Sequence, residues 1–259
     1  MTISRKEFLM GLGGAALAAP LGVLAGRSQS GTSGSPAPPS ADESNEPGVR
    51  SYAQGGEDVA AHFLFDYLGH RNITYLDIGA YDPILINNTY FFYRRGHRGV
   101  LVEPNVAMCQ KLRAVRPEDV TLEAGIGVTA EREADYYVMT EPSWNTFSRE
   151  EAEHQTRATQ GKVRIERVIK MPLLNINDVI AEHLRSAPSF LSIDAEGLHL
   201  AILQSLDYRR FRPLVICVET LVSGTRQTIR EIPEFLATQG YVPRGGSLAN
   251  TLFVDSNRL

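Results

Sequence analysis

From Ile73 onward the chain alternates short, uninterrupted apolar runs with stretches in which apolar residues recur every three or four positions. The runs Ile73–Ile78, Gly99–Val102, Phe190–Ile193 and Leu214–Val218 predict strands, and their lack of alternation predicts parallel strands covered on both faces. Shorter strands are expected at Val120–Glu123, Asp135–Val138 and Val163–Ile169. Helices are expected over Asp58–Leu68, Val106–Val115, Asn177–His183 (capped by Asn177), Leu198–Leu206 and Gln227–Thr238. An aromatic helical stretch, Thr89–Arg95, closes at Gly96, and Ser148-Arg149-Glu150-Glu151 has the spacing of a capping box. Tyr241–Arg244 and Thr251–Val254 predict a closing hairpin across Gly245-Gly246. Strand and helix in alternation, finished by an antiparallel pair, predict an α/β domain with a mostly parallel sheet and helices on both faces.

The acids at the strand ends give the first chemical clue. The run Ile73–Ile78 carries Asp77 and turns at Gly79, and the next strand ends in Glu103, 26 residues after Asp77. In a doubly wound sheet, a glycine past strand 1 admits a nucleoside ligand and a carboxylate after strand 2 binds its ribose hydroxyls. Ala80, Tyr81, Asp82 and Pro83 follow Gly79, so no later glycine brings a helix N-terminus to a pyrophosphate. The pattern therefore argues against NAD and favours a nucleoside without phosphates, such as S-adenosylmethionine. Asp77, Gly79, Ala80 and Glu103 are the primary candidates to bind it, with Asn88 and Gln54 as further polar contacts.

Two more strands end in acids. Asp194 and Glu196 follow one and Glu219 ends the next, placing all three in the crevice beyond the carboxyl ends of the sheet. Asp194 is the first candidate for a general base, with Glu196 beside it. His199 is a second, because an unperturbed imidazole titrates near neutrality. The carboxylates also suit a helix cap, and Asp194 with Glu219 suits a divalent cation, although no histidine spacing marks a metal centre. The stretch Met139–Met171 reads as an insertion covering the acceptor. Within it Trp144 and Phe147 serve either as a stacking surface or as anchors for their loop.

Composition narrows the partners. There are 26 Lys and Arg against 30 Asp and Glu, and no basic run, which excludes a nucleic-acid partner. Cys109 and Cys217 are too few for a disulfide framework or a zinc site. Arg5 and Lys6 precede a Gly/Ala-rich apolar stretch, and SRKEFLM is similar to a twin-arginine signal with lysine in the second position. Residues 1–26 are thus expected to be an export signal or membrane anchor, 27–50 a Ser/Pro/Gly-rich linker, and 51–259 one domain. Membrane association is expected only through the N-terminal segment; a cytoplasmic enzyme with a mis-assigned start is the alternative.

The blocks YAQGGEDVAAHFLF, YLDIGAYDPILINNTYFFYRRGHRGVLVEPN, SWNTFSREEAE, FLSIDAEGLHLAILQSLD, VICVET and NTLFVD occur in the order found in the FkbM family of S-adenosylmethionine-dependent methyltransferases. The chain resembles that family from Ser51 to Asp255. Pro83 stands where many members have a third loop glycine, and His199 where an acid is common. The resemblance implies a seven-stranded methyltransferase fold and methylation of a hydroxyl on a small molecule or saccharide. An exported relative that kept the fold and lost turnover is the alternative.

Overall fold

The computed structural model describes residues 48–195, 197–221 and 227–259. The expected signal and nearly all of the linker lie outside the described residues, as does Glu196. Among the described residues no helix is long and apolar enough to cross a membrane.

In chain order the elements are α1 (Glu57–Tyr67), β1 (Thr74–Ile78), α2 (Tyr90–Tyr93), β2 (Arg98–Val102), α3 (Val106–Val115), β3 (Val120–Leu122), β4 (Gly125–Ile126), β5 (Glu133–Met139), α4 (Arg149–Ala158) and β6 (Ile165–Leu174). There follow α5 (Ile176–Val179, widening into a π turn over Ile180–Leu184), β7 (Phe190–Ile193), α6 (His199–Ser205), β8 (Val215–Glu219), α7 (Glu231–Thr238), β9 (Tyr241–Gly246) and β10 (Asn250–Asp255). Seven strands form one sheet in the order β3-β2-β1-β7-β8-β10-β9. Its strands are parallel except β10, which runs antiparallel to β8 and β9. The expected α/β architecture, with its C-terminal antiparallel hairpin, is therefore present.

Both faces of the sheet are buried, which is why its strands read as continuous apolar runs. Leu76, Ile78, Val100, Leu191, Ile216 and Val218 face α5, α6 and α7. Tyr75, Leu101, Phe190, Cys217 and Leu252 face α1, α2 and α3. On the second side Phe65, Phe92 and Phe190 pack edge to face, with ring centroids 5.4–6.1 Å apart. Burying each ring stabilises the fold by about 1.5–3 kcal/mol. Both cysteines are buried and free, Cys217 within this second face.

Four features differ most from the sequence expectation; first, Gly245 and Gly246, expected to form the hairpin turn, are the last residues of β9, and the turn falls at residues 247–249. The strand expected to end at Ile169 continues to Leu174, with Pro172 opposite Glu133 of β5. The helix expected from Gln227 starts at Glu231, because Thr228 bridges to Leu221 and the Ile229 amide donates to Thr220. Pro233 then falls in the first turn, where its missing N–H costs nothing. Asn175, rather than Asn177, caps α5; Asn177 instead donates to the Ser205 carbonyl and accepts from the Asp207 amide.

Candidate active site

The strand order reverses direction between the paired neighbours β1 and β7, and the loops after β1, β2 and β7 meet above that point. At Gly79 φ is +80°, and a Cβ there would overlap the carbonyl oxygen of Asp194. The Gly79 amide donates to Val102 and the Asp194 amide to Ile78, both at 2.9 Å, so the three strand ends are tied by backbone bonds. Only glycine combines this φ with such close approach.

The tied ends open into a cleft. Gly79, Glu103 and Asp194 line its floor, and Tyr136, Asn145 and Phe147 come from a lid above. The lid is the expected insertion: β4, β6 and β5 form a separate three-stranded sheet. The loop after β5 folds back on it, with the Tyr137 amide donating to Thr146 at 2.8 Å and the Met139 amide to Asn145 Oδ1 at 2.8 Å. Phe147 lies against Tyr136, ring centroids 4.8 Å apart, and occupies the space that a side chain at Gly125 would need. Trp144 is buried with Tyr137, Met139, Ala152 and Val163. It anchors the loop, so the expectation of a stacking surface fails for Trp144, while Phe147 does face the cleft.

Glu103 sits at the cleft wall with 4 % of its surface exposed. Its Oε2 accepts from the Tyr81 amide at 2.8 Å and its Oε1 from the Asn105 amide at 2.7 Å. These bonds fix the position of the carboxylate after β2. Cys109 donates to the Glu103 carbonyl at 3.0 Å; burial, with Glu103 nearby, pushes that thiol up to about 12.

The loop from Gly79 to Thr89 is braced from beneath. Asn87 donates to the carbonyls of Ala80 and Asp82 at 3.0 and 3.1 Å and accepts from the Tyr90 amide at 2.8 Å. Arg116 is fully buried and donates to Asn87 Oδ1 and Thr89 Oγ1, both at 3.0 Å, and to Asp119 at 2.8 Å. Thr89 in turn donates to Asp77 at 2.7 Å, and Tyr75 donates to Asp119 at 2.8 Å. Asp77 therefore orders the loop and is not among the described residues lining the cleft. Sequence reasoning missed Arg116 and Asp119, because an arginine and an aspartate around Pro117 read as ordinary surface charge after a helix.

The other candidates are spread along the sheet edge. Ala80 is buried in the braced loop. Asn88 donates to Ser192 Oγ of β7 at 3.2 Å and reaches Cys217 Sγ of β8 at 3.7 Å. Gln54 lies in the segment before α1. The segment is held by buried Asp58, which accepts from the Ser51 hydroxyl and the Tyr52 amide, and by Glu57, which accepts from Gly55 and Asn250. His199 begins α6, and its Nε2 is 3.7 Å from Glu219 Oε2.

The wall chemistry discriminates between ligands. Among the described lining residues the charged groups, Glu103 and Asp194, are both carboxylates. Two amides of the loop, those of Ile84 and Leu85, already donate to Asp82 at 3.0 and 2.8 Å. Such a site repels phosphate and suits a cationic nucleoside.

Comparison with known proteins agrees with the expected family. No curated protein matches the chain. Among solved structures, a TehB-like SAM-dependent methyltransferase from Corynebacterium glutamicum is 9% identical, with 78% of this chain and 88% of that one covered, at a TM-score of 0.41. A precorrin-6y C5,15-methyltransferase from Geobacter metallireducens is 14% identical, with 82% and 94% covered and a TM-score of 0.40. Burkholderia thailandensis 1,6-didemethyltoxoflavin-N1-methyltransferase, solved with S-adenosylhomocysteine, is 12% identical, with 78% and 77% covered and a TM-score of 0.39. Residues 77–243, more than half of the chain, match the methyltransferase FkbM domain, and the protein belongs to that family.

Proposed function

We propose that this methyltransferase uses S-adenosylmethionine to methylate a hydroxyl oxygen on a small molecule or saccharide. The observation that carries the reading is the cleft beyond β1, β2 and β7, walled by Glu103 and Asp194 and closed by the β4-β6-β5 lid. When bound, the cofactor supplies a methyl group on a positively charged sulfur. Transfer forms a C–O bond, breaks the C–S bond and releases one proton from the acceptor.

The chain's own groups divide the remaining work. Glu103, fixed by the Tyr81 and Asn105 amides, would hold the ribose hydroxyls, and the Gly79–Ala80 turn would pass beside the nucleoside. Acidic walls favour a sulfonium over the neutral thioether left after transfer, which helps the spent cofactor leave. Asp194 stands at the cleft edge as acceptor of the hydroxyl proton. Tyr136 and Phe147 exclude water from above and offer an aromatic surface to the acceptor. The export-type segment at residues 1–26 supports a location outside the cytoplasm or at a membrane, with a cytoplasmic enzyme as the alternative, and fractionation with a tag after Leu259 tests that reading.

The reading is tested by incubating the full chain with S-adenosylmethionine and a panel of polyhydroxylated acceptors while S-adenosylhomocysteine is measured. Acceptor-dependent product that falls sharply in Asp194→Asn is expected. Tight cofactor binding without product on any acceptor would point instead to a binding protein that has lost turnover.

A further inference from the structure

Three potential ligand atoms of different origin converge beside the cleft: a carboxylate oxygen of Asp194, an imidazole nitrogen of His199 and a carboxylate oxygen of Glu219, all within 4.8 Å of one another. They come from the end of β7, the first residue of α6 and the last residue of β8, and β7 and β8 are hydrogen-bonded neighbours. We propose that these residues bind one divalent transition-metal ion, and that the ion holds the acceptor oxygen for methyl transfer. The second half of this statement rests on the methyltransferase reading; the ion site itself does not.

Geometry and burial both point to an ion. Ligands about 2.0–2.2 Å from a metal at tetrahedral to octahedral angles lie about 3–3.5 Å apart. His199 Nε2 and Glu219 Oε2 are 3.7 Å apart, so that pair is already close to ligand spacing, while Asp194, within 4.8 Å, would have to move further to complete the site. The side chains of His199 and Glu219 are 5 % and 10 % exposed, so the imidazole and one carboxylate are withdrawn from bulk water.

Asp77 and Glu57 are also buried at this end of the sheet. Asp194, in contrast, lines the cleft, so the coordination positions left open would face the acceptor.

The donor set selects the ion. Two carboxylates with an imidazole suit Mn²⁺, Fe²⁺ or Zn²⁺ better than Ca²⁺ or Mg²⁺, which prefer oxygen alone. His199 is thus the residue that sets metal preference. An acceptor hydroxyl bound to the ion loses its proton more readily. On this proposal a carboxylate that ligates through one oxygen would take that proton on the other, so ligation and proton removal are compatible in Asp194.

The test is Mn²⁺ titration of the full chain after chelator treatment, followed by electron paramagnetic resonance and calorimetry. One saturable ion per chain is expected, with affinity falling roughly tenfold or more in His199→Ala and in Glu219→Gln. His199→Asp should keep a site and shift its preference toward Mg²⁺, which a merely structural histidine would not do. Absence of saturable Mn²⁺ binding in the wild type, or unchanged affinity in correctly folded Ala and Gln variants, would overturn the proposal. S-adenosylmethionine binding is measured on the same metal-free protein, so failure of the cofactor reading registers separately from failure of the ion site.

Discussion

The carbonyl oxygen of Asp194 occupies the space in which a side chain on Gly79 would stand. The loop after β1 and the loop after β7 are therefore in contact through backbone atoms, one carrying the proposed nucleoside turn and the other the proposed proton acceptor. Gly79→Ala should disturb both. A residue with a Cβ at φ +80° costs about 1–2 kcal/mol before any clash is counted. A fall in melting temperature of at least about 2–4 °C is expected, together with loss of cofactor binding. Wild-type stability and affinity in this variant would mean that the two loops do not meet as described.

Glu103→Gln keeps the shape of the side chain and removes its charge. Affinity for S-adenosylmethionine should fall by about 1–3 kcal/mol, roughly 5- to 150-fold in Kd, through weaker charged hydrogen bonds. Calorimetry on the folded variant measures this, and an unchanged Kd would remove Glu103 from the ribose site.

Arg116 is the cation at the centre of the brace under the cofactor loop. Arg116→Met would leave the Asp119 carboxylate buried without its guanidinium, which typically costs about 3–5 kcal/mol. Urea unfolding should show that loss, and a change within about 0.5 kcal/mol, the range of an ordinary surface substitution, would contradict the brace.

The C-terminal hairpin carries a pH-dependent clasp. Arg212 donates to both oxygens of Asp255, at 2.9 and 2.8 Å, and to the Gln239 carbonyl at 2.8 Å. Burial works against the charge on Asp255, but the Arg212 hydrogen bonds and the Asn257 amide outweigh it and hold the carboxyl below its usual value. A depressed folded-state value means that the contribution is complete above the ordinary carboxylate range and is lost as pH falls below it. Asp255→Asn should therefore be less stable than wild type at neutral pH, and the gap should narrow below about pH 4 in urea titrations. A gap that stays constant to low pH would show that the carboxylate charge contributes nothing.

The acids were legible because of how parallel strands are written. A strand buried on both faces appears as an unbroken apolar run, so Asp77, Glu103, Asp194 and Glu219 stand out at the ends of such runs. Roles within the site were less visible, since they depend on which side of the chain a group faces. Asp77 bonds Thr89 beneath the loop, and Trp144 turns into the core of the lid while Phe147, three residues on, faces the cleft. The Arg116–Asp119 pair was illegible, because its partners Asn87, Thr89 and Tyr75 lie far away in sequence and only the folded loop assembles them. The start of α7 could have been read from Pro233, but the pairing of Thr228 with Leu221 could not.

The central claim is that a cationic nucleoside occupies the cleft between Glu103 and Asp194. Calorimetric titration of the full-length protein with S-adenosylmethionine, and separately with NAD, tests it most directly. Saturable binding of S-adenosylmethionine that weakens in Glu103→Gln is expected, with no heat from NAD. Silence toward S-adenosylmethionine, or equal binding of both ligands, would contradict it.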